Sequence, residues 1–367
     1  MVTGVICSIL LFIKSDKKTS NKFLGLGILG FVWLNTKTLL LSLNLWDIHG
    51  FGYFPNGIEL ALPPLFYFYV ISLLQSDFKL RGKDWLHFVP FFLSQAYAIV
   101  VYIAIMQTQL PLEKSMIANS FHFNRIKLAD DQLMALSGLV YLYLAYRYIR
   151  KYKDWLSENT SDTQFSELGF LKVAAVWMFF SLLYTVVNLV LNSVLHESHE
   201  FRWRLGHLIV ATLVYYLGLV GYKNSDVIPT GFTSQSQKKP KRVQDPITLE
   251  VVDNLDQILK TNKVYLNPNL SLQELAKSLE VSDATLSHVI NTHYQKNFRS
   301  FIKQLRVEEV KKRLLDGSLG TLSLLGLAKE CGFNSEASFY RIFKAETGLT
   351  PKQFLSQHSS PPPSSKD

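Results

Sequence analysis

Apolar runs long enough to cross a lipid bilayer dominate the first 222 residues, and they constrain the fold more than any other feature. Six of the seven runs have about 18 residues or more, enough for a helix to cross roughly 30 Å of hydrocarbon. In the shorter first run the lysines follow the apolar residues, whereas in a signal peptide they precede them. The sequence therefore predicts seven transmembrane helices, at residues 2–13, 23–46, 57–75, 85–106, 132–149, 168–193 and 203–222.

Lysine and arginine residues predict the orientation of this bundle, because they are enriched in cytoplasmic loops. They cluster in alternate loops, at residues 14–22, 79–83 and 147–153, and the intervening loops carry fewer of them. This pattern predicts an N-terminus outside the membrane and a chain that continues into the cytoplasm after residue 222.

Two charged residues, Lys37 and Glu59, fall inside the predicted spans. A charged side chain in hydrocarbon needs a partner. If the second span runs outward and the third inward, both residues lie toward the outer leaflet and can form an intramembrane pair. In the alternative, Lys37 extends to the membrane surface and Glu59 lies among the lipid headgroups.

Composition narrows the classes of function. Only 18% of the residues are charged and 48% are hydrophobic, which excludes a purely soluble enzyme and an intrinsically disordered chain. Two widely separated cysteines exclude a disulfide framework and a cysteine-rich metal site. The sequence contains no phosphate-binding loop, Ser-His-Asp order or paired carboxylates, and we predict no enzyme activity, metal or cofactor.

The chain after residue 222 has a different character. Residues 223–245 are rich in Ser, Gln and Lys and predict a flexible linker, and residues 359–367 predict a disordered tail. Between them, residues 246–358 have the apolar spacing of amphipathic helices. Ser271 and Glu274 form a capping box that begins one of these helices. The predicted fold class is therefore all-α, with a polytopic bundle followed by a helical domain.

A repeat of about 52 residues is the most specific feature of this helical domain. Leu275-Ala276-Lys277 and Leu327-Ala328-Lys329 each precede a turn and a second short helix with apolar anchors. Two short helices separated by a few residues predict a helix-turn-helix unit, and the chain has two. A long amphipathic helix over residues 297–315 joins them.

The sequence 327–335, together with Phe339-Tyr340-Arg341-Ile342-Phe343-Lys344 and Gly348-Leu349-Thr350-Pro351, resembles the DNA-binding domain of the AraC/XylS family of bacterial transcription regulators. The resemblance covers residues 269–355, and the layout is similar to that of members with an N-terminal membrane bundle. It implies two helix-turn-helix units that place their second helices in successive segments of the major groove. Glu280 and Gln295 stand where this family often has glycine.

Helix-turn-helix proteins contact bases with the exposed N-terminal part of the second helix. The resemblance therefore implies two sets of DNA-binding residues and a third set of phosphate contacts. The first unit contributes Asp283, Ala284, Thr285, Ser287 and His288, and the second contributes Ser335, Glu336, Ala337, Ser338, Tyr340 and Arg341. The predicted phosphate contacts are Lys296, Arg299, Lys344, Thr350 and Lys352.

These observations favour a transcription regulator of the bacterial inner membrane, whose bundle senses a signal and controls the tethered DNA-binding domain. The expected partners are double-stranded promoter DNA, the lipid bilayer, a second copy in a homodimer, RNA polymerase, and an unknown signal or membrane protein. Two alternatives remain open. The bundle is a passive anchor or a docking module for a partner, or the chain is a transporter or membrane enzyme with a regulatory tail.

Overall fold

The structure, a computed structural model, describes residues 2–14, 19–43, 51–55, 57–75, 77–161, 169–195, 200–224, 232–233, 249–316 and 323–358. The chain forms two units, one of residues 1–150 and 168–234 and the other of residues 151–167 and 235–367. Throughout the described ranges the regular structure is helical, apart from one isolated antiparallel bridge between Thr160 and Ser271. The expected all-helical fold is therefore confirmed.

The first unit contains eight α-helices in its described residues, the sixth of which continues into the second unit. A helix covers most of each predicted apolar run, and one helix, α5, was not predicted. The helices are α1 (Val2–Ile13), α2 (Thr19–Ser42), α3 (Leu62–Leu74), α4 (Val89–Ile105), α5 (Pro111–Ser120), α6 (Phe123–Asn159), α7 (Gly169–Leu195) and α8 (Glu200–Asn224).

Membrane crossing is indicated for fewer helices than the sequence predicts. By length and composition, two described segments can span a bilayer, Gly82–Ile105 and Gly169–Asn188. Val2–Ile13, Ile58–Leu74 and Ala211–Val220 are apolar but shorter. The seven-span topology thus remains a prediction.

Small residues allow the first three helices to approach closely. A Cβ atom on Gly25 would lie 3.1 Å from the ring of Phe12, and one on Gly30 would lie 3.0 Å from Leu62. Ser8 also donates a hydrogen bond of 2.8 Å to the Gly25 carbonyl. Close helix approach of this kind is typical of membrane helices, where packing replaces the hydrophobic effect.

Glu59, a predicted intramembrane charge, contacts a residue that the sequence did not indicate. Its carboxylate lies 3.0 Å from the ammonium of Lys127 on α6, and Asp131 lies 3.8 Å from the same ammonium. Lys127 is 68 residues away in sequence, which is why charge spacing alone did not find it. The side chain of Lys37 lies outside the described residues, so the Lys37–Glu59 pair remains a prediction.

We expect Glu59→Lys and Lys127→Glu each to lower the free energy of unfolding by about 1 kcal/mol, because both side chains are only partly exposed. The double reversal should recover part of the loss, because the contact with position 59 is restored while the new carboxylate at position 127 is repelled by Asp131. Thermal unfolding of the detergent-solubilised full chain measures this, with the exposed Arg125→Glu as a control of equal charge change. A double variant no more stable than either single variant would show that the pair does not contribute.

The second unit has two hydrophobic cores connected by one helix. Its helices are α9 (Leu249–Thr261), α10 (Leu272–Ser278), α11 (Asp283–His293), α12 (Phe298–Leu315), α13 (Leu324–Glu330), α14 (Glu336–Thr347) and α15 (Pro351–His358). The first half of α12 packs in the core of α9, α10 and α11, through Phe298 and Ile302. Its second half packs in the core of α13, α14 and α15, through Val310 and Leu314. The predicted connecting helix is thus present.

One predicted domain boundary differs from the division of the chain into units, and the predicted linker and tail lie largely outside the described residues. Residues 151–167 belong to the second unit, although the sequence assigned them to the membrane half. The contacts that join them to it are hydrogen bonds, since Thr160 accepts from Arg299 and Ser161 donates to the chain just before α10. The predicted tail lies outside the described residues, and so does the predicted linker except for residues 223–224 and 232–233.

Candidate nucleic-acid interface

The two short-helix pairs of the second unit share their turn geometry at the level of single hydrogen bonds. The amide of Val281 donates to the Ala276 carbonyl at 3.0 Å, and the amide of Phe333 donates to the Ala328 carbonyl at 3.0 Å. Both pairs of positions differ by 52 residues. Ala276 and Ala328 are both buried, as expected where two helices cross closely. The sequence repeat therefore produces two structurally equivalent helix-turn-helix units.

Side-chain caps begin the second helix of each unit. Ser282 accepts a hydrogen bond of 3.0 Å from the amide of Thr285, and Ser335 accepts one of 3.3 Å from the amide of Ser338. Serine at this position satisfies an amide that would otherwise lack a partner at the helix start. The predicted capping box of α10 is also present, with bonds of 3.0 and 3.2 Å between Ser271 and Glu274.

The residue before each turn takes a left-handed backbone conformation. Gly332 has φ 84° and its counterpart Glu280 has φ 58°, and Gln295 after α11 has φ 55°. The positions where the sequence departs from a customary glycine are thus positions where the backbone favours glycine. Gly332 has a steric reason as well, because a Cβ atom there would lie 2.8 Å from Nε of Arg306.

The predicted base contacts of the first helix-turn-helix unit lie on α11, apart from the buried anchors of that helix. Leu286, Val289 and Ile290 are buried in the core. Asp283 at the start of the helix is exposed, and the side chains of the remaining four are partly exposed: Ala284, Thr285, Ser287 and His288. This separation leaves one face of α11 available to a groove of DNA.

In the second helix-turn-helix unit the predicted base contacts are accessible, with one exception. Glu336, Ala337 and Arg341 on α14 are exposed, and Ser335 and Tyr340 are partly exposed. Ser338 is only 4% exposed, and its hydroxyl donates to the Ser335 carbonyl at 2.9 Å. In this conformation Ser338 stabilises the helix start and does not face solvent, so it differs from the expectation for a base contact.

Four of the predicted phosphate contacts lie at accessible or partly accessible positions. Lys344 and Lys352 are exposed, and Lys296 is partly buried and donates to Gln304. Thr350 begins α15 and accepts a hydrogen bond of 3.4 Å from the amide of Gln353. A helix start with a polar cap is a favourable position for a phosphate.

Arg299 differs from the other predicted phosphate contacts because it is 6% exposed. Its Nε donates to the Thr160 carbonyl at 3.1 Å, and its Nη2 donates to Thr160 Oγ1 at 2.9 Å. The guanidinium is therefore engaged by the protein in this conformation, which is incompatible with a simultaneous phosphate contact through the same atoms.

Lys303, which the sequence analysis missed, belongs to a cluster of cations with Arg299 and Arg341. Burial lowers the pKa of the Lys303 ammonium, and the neighbouring guanidiniums of Arg299 and Arg341 lower it further, against the opposing effect of Glu346. Clustered cations repel one another, and the phosphate backbone of DNA is the kind of anion that relieves this repulsion. The spacing of Arg299 and Lys303, four residues apart on one helix, was the available signal.

A second missed feature is a buried polar network on α12, between the cores of the two helix-turn-helix units. Glu309 is 7% exposed and accepts hydrogen bonds from Lys263 at 2.9 Å, Arg313 at 3.0 Å and the Tyr265 hydroxyl at 3.2 Å. Burial raises the pKa of Glu309, but these hydrogen bonds outweigh it and hold the pKa below its usual value. The network fixes the loop before α10 against α12.

Two equivalent helix-turn-helix units on one connecting helix define a DNA-binding protein of the helix-turn-helix class. Comparison with known proteins agrees. A family model described as a helix-turn-helix domain matches residues 275–357. An uncharacterized HTH-type transcriptional regulator in the cgkA 5′ region of Pseudoalteromonas carrageenovora is 32% identical over 127 residues, 35% of this chain and 72% of that protein. The chain belongs to the HTH-type transcriptional regulators, and its domain is of the AraC type.

Another relative matches a smaller share of the chain. An uncharacterized HTH-type transcriptional regulator of Staphylococcus aureus is 31% identical over 102 residues, 28% of this chain, and the match spans 13% of the length of that relative. A similar solved structure is the C-terminal domain of AraT, a response regulator from Geobacillus stearothermophilus. It is 24% identical and covers 35% of this chain and 95% of its own, with a TM-score of 0.26.

The left-handed conformation of Glu280 predicts a stabilising substitution. Glu280→Gly should raise the local free energy of unfolding by about 0.5–1 kcal/mol, because glycine adopts this conformation without the Cβ penalty. Hydrogen exchange of the α10 and α11 amides in the full chain measures it. The control Gln257→Gly, at an exposed position inside α9, should lose about 1 kcal/mol. Equal losses in both variants would contradict the prediction.

Proposed function

We propose that this protein is a membrane-embedded transcription regulator, in which the first unit lies in the bacterial inner membrane and senses a signal. The second unit binds promoter DNA from the cytoplasmic side. The observation that carries the proposal is the combination, on one chain, of a double helix-turn-helix unit with apolar helices whose surfaces are largely uncovered. Neither half alone indicates this function.

The uncovered apolar surface supports insertion into lipid. In the most apolar stretches of Gly82–Ile105 and Gly169–Asn188, only 17% and 11% of the residues are buried. An apolar helix in the core of a soluble protein is mostly buried, and large exposed apolar surfaces of monomeric proteins mark an interaction with a partner or a membrane. Leu93, Ile103 and Phe180 are each more than half exposed. Lipid acyl chains are the proposed neighbours of these side chains.

The charge and shape of the second unit support DNA binding. Arg341 and Glu336 project from the exposed part of α14, at the end that enters the groove in helix-turn-helix proteins. The cluster of Arg299, Lys303 and Arg341 and the exposed Lys344 supply positive charge for the backbone. Arginine forms paired hydrogen bonds with guanine, so Arg341 is the proposed base-reading residue with the greatest effect.

The remaining parts of the proposal concern partners. Tethering to a membrane confines the domain to a thin layer and raises the chance that two copies meet, so we propose a homodimer on paired half-sites. RNA polymerase is the proposed partner in promoter control. The signal is unknown, and an anchoring or partner-docking role of the first unit is the outcome if sensing fails.

Genome-wide crosslinking of the full chain from the membrane fraction tests the proposal. We expect discrete promoter peaks, and we expect Arg341→Ala to reduce their occupancy about 10- to 100-fold, as for loss of a contact worth roughly 1–3 kcal/mol. The matched control is Lys312→Ala, which removes one exposed positive charge from α12. Recovery of the chain only in the soluble fraction would contradict the membrane part.

Two further outcomes separate the alternatives. Peaks that persist unchanged in Arg341→Ala would contradict the base-reading assignment. A protein that lacks residues 1–150 and still regulates the same genes without any response to growth conditions would favour a passive anchor. Solute uptake by vesicles that contain the full chain would favour a transporter with a regulatory tail.

A further inference from the structure

The end of helix α6 is built into the DNA-binding unit. Tyr152 and Leu156 are fully buried. Beyond the helix, Thr160 pairs with Ser271 in an antiparallel bridge. The amide of Ser161 donates to the Leu270 carbonyl at 3.1 Å, and its hydroxyl donates to the same oxygen at 2.7 Å. We call residues 151–161 the clasp.

The clasp contacts two arginines on one face of α12. Arg299 and Arg306 are seven residues apart, two helical turns, so their side chains lie on the same face. Arg299 donates to Thr160 through Nε and Nη2. Arg306 donates to Ser161 Oγ at 3.0 Å and to the Ser161 carbonyl at 3.4 Å. Consecutive clasp residues thus engage consecutive arginines.

The clasp determines what Arg299 can contact. With the clasp docked, Arg299 is 6% exposed and its Nε and Nη2 bond to Thr160. Release of the clasp removes the Thr160 acceptors of these two donors. Arg299 then remains in the cation cluster with Lys303 and Arg341. A guanidinium in that position has the charge and geometry to bind a DNA phosphate.

We propose that the clasp is an autoinhibitory element, which withholds Arg299 from the DNA backbone while docked and adds a phosphate contact when released. The proposal rests on the proposed function, because the clasp is continuous in sequence with the part of α6 that belongs to the first unit. A signal acting on that unit has in the clasp a covalent route to the DNA-binding residues. Autoinhibition predicts tighter DNA binding after release.

Ser161→Pro releases the clasp with one change. Proline removes the amide that donates to Leu270, and the substitution also removes the hydroxyl that bonds to Leu270 and Arg306. The matched control is Ser157→Ala, a partly exposed position on the same segment that also leaves the net charge unchanged. The double variant Ser161→Pro/Arg299→Gln tests whether Arg299 carries the effect.

The measurement is the affinity of the full chain in lipid nanodiscs for a 30-base-pair duplex of mixed sequence, by fluorescence anisotropy at several salt concentrations. Such a duplex is sufficient because phosphate contacts do not depend on sequence. Ser161→Pro should tighten binding roughly eightfold near 0.1 M salt and steepen the slope of log K against log salt by about 0.9, the value for one added phosphate contact. Ser157→Ala should match the wild type, and the double variant should lose the gain.

A second variant removes the dependence on the proline folding normally. Thr160→Cys/Ser271→Cys places two cysteines on opposite residues of a bridge, within reach of a disulfide. The disulfide holds the clasp docked. The oxidised form should therefore keep a salt slope no steeper than that of the wild type in nanodiscs of every lipid composition tested, and a reductant should restore the slopes of the wild type. The single variants Thr160→Cys and Ser271→Cys serve as controls.

The outcomes distinguish this proposal from the proposed function. If all variants bind the duplex with one affinity and one salt slope, DNA binding stands and the clasp proposal fails. If the gain of Ser161→Pro persists in the double variant, release acts through another group and the proposal also fails. If no form binds duplex DNA, including Ser161→Pro, the DNA-binding function fails and the clasp proposal fails with it.

Discussion

The buried guanidinium of Arg306 is the interaction on which the C-terminal unit depends. It is 2% exposed and donates to the Tyr265 carbonyl at 2.7 Å and to the Asn267 carbonyl at 2.7 Å, in addition to Ser161. A buried donor without a partner costs about 1–3 kcal/mol, so these carbonyls must stay in place. One side chain thereby fixes the loop before α10 against α12, and the same guanidinium bonds to the end of the clasp. The turn of the second helix-turn-helix unit meets the same spot, because a Cβ on Gly332 would lie 2.9 Å from the Leu266 carbonyl.

This arrangement explains how two separate cores act as one DNA-binding surface. Each core buries its own anchors, and only α12 passes through both. The separation of α11 and α14 is then set by the rigidity of α12 and by the polar contacts at its middle, through Arg306 and Glu309. A helix-turn-helix pair reads successive groove segments only if this separation is constant. The buried charges at the junction thus specify geometry, a role for which buried polar groups are better suited than for net stability.

Sequence reasoning succeeded where the signal is local and failed where it joins distant segments. The capping box at Ser271 and the turn of each repeated unit depend on neighbours within a few residues, and both are present. The partners of Arg306, of Arg299 and of Glu59 are between 39 and 145 residues away, and no periodicity encodes such pairs. The N-terminal unit shows the same limit. Apolar runs predict its helices correctly, but length and composition indicate two candidate spans in the described part, where the sequence predicts seven. The partly charged helix α6 is an example of a predicted span that these criteria do not select.

The chemistry of the clasp is suited to reversible docking. Its specific contacts are hydrogen bonds from arginines to neutral oxygens, each worth net about 1.5–3 kcal/mol, and these trade against hydration when the segment leaves. A junction sealed only by large apolar side chains would be harder to open by a signal worth 1–3 kcal/mol, which is the usual size of an allosteric coupling energy. In the proposed mechanism Arg299 exchanges its clasp partner Thr160 for a phosphate, so a signal has to change only the difference in free energy between these two contacts.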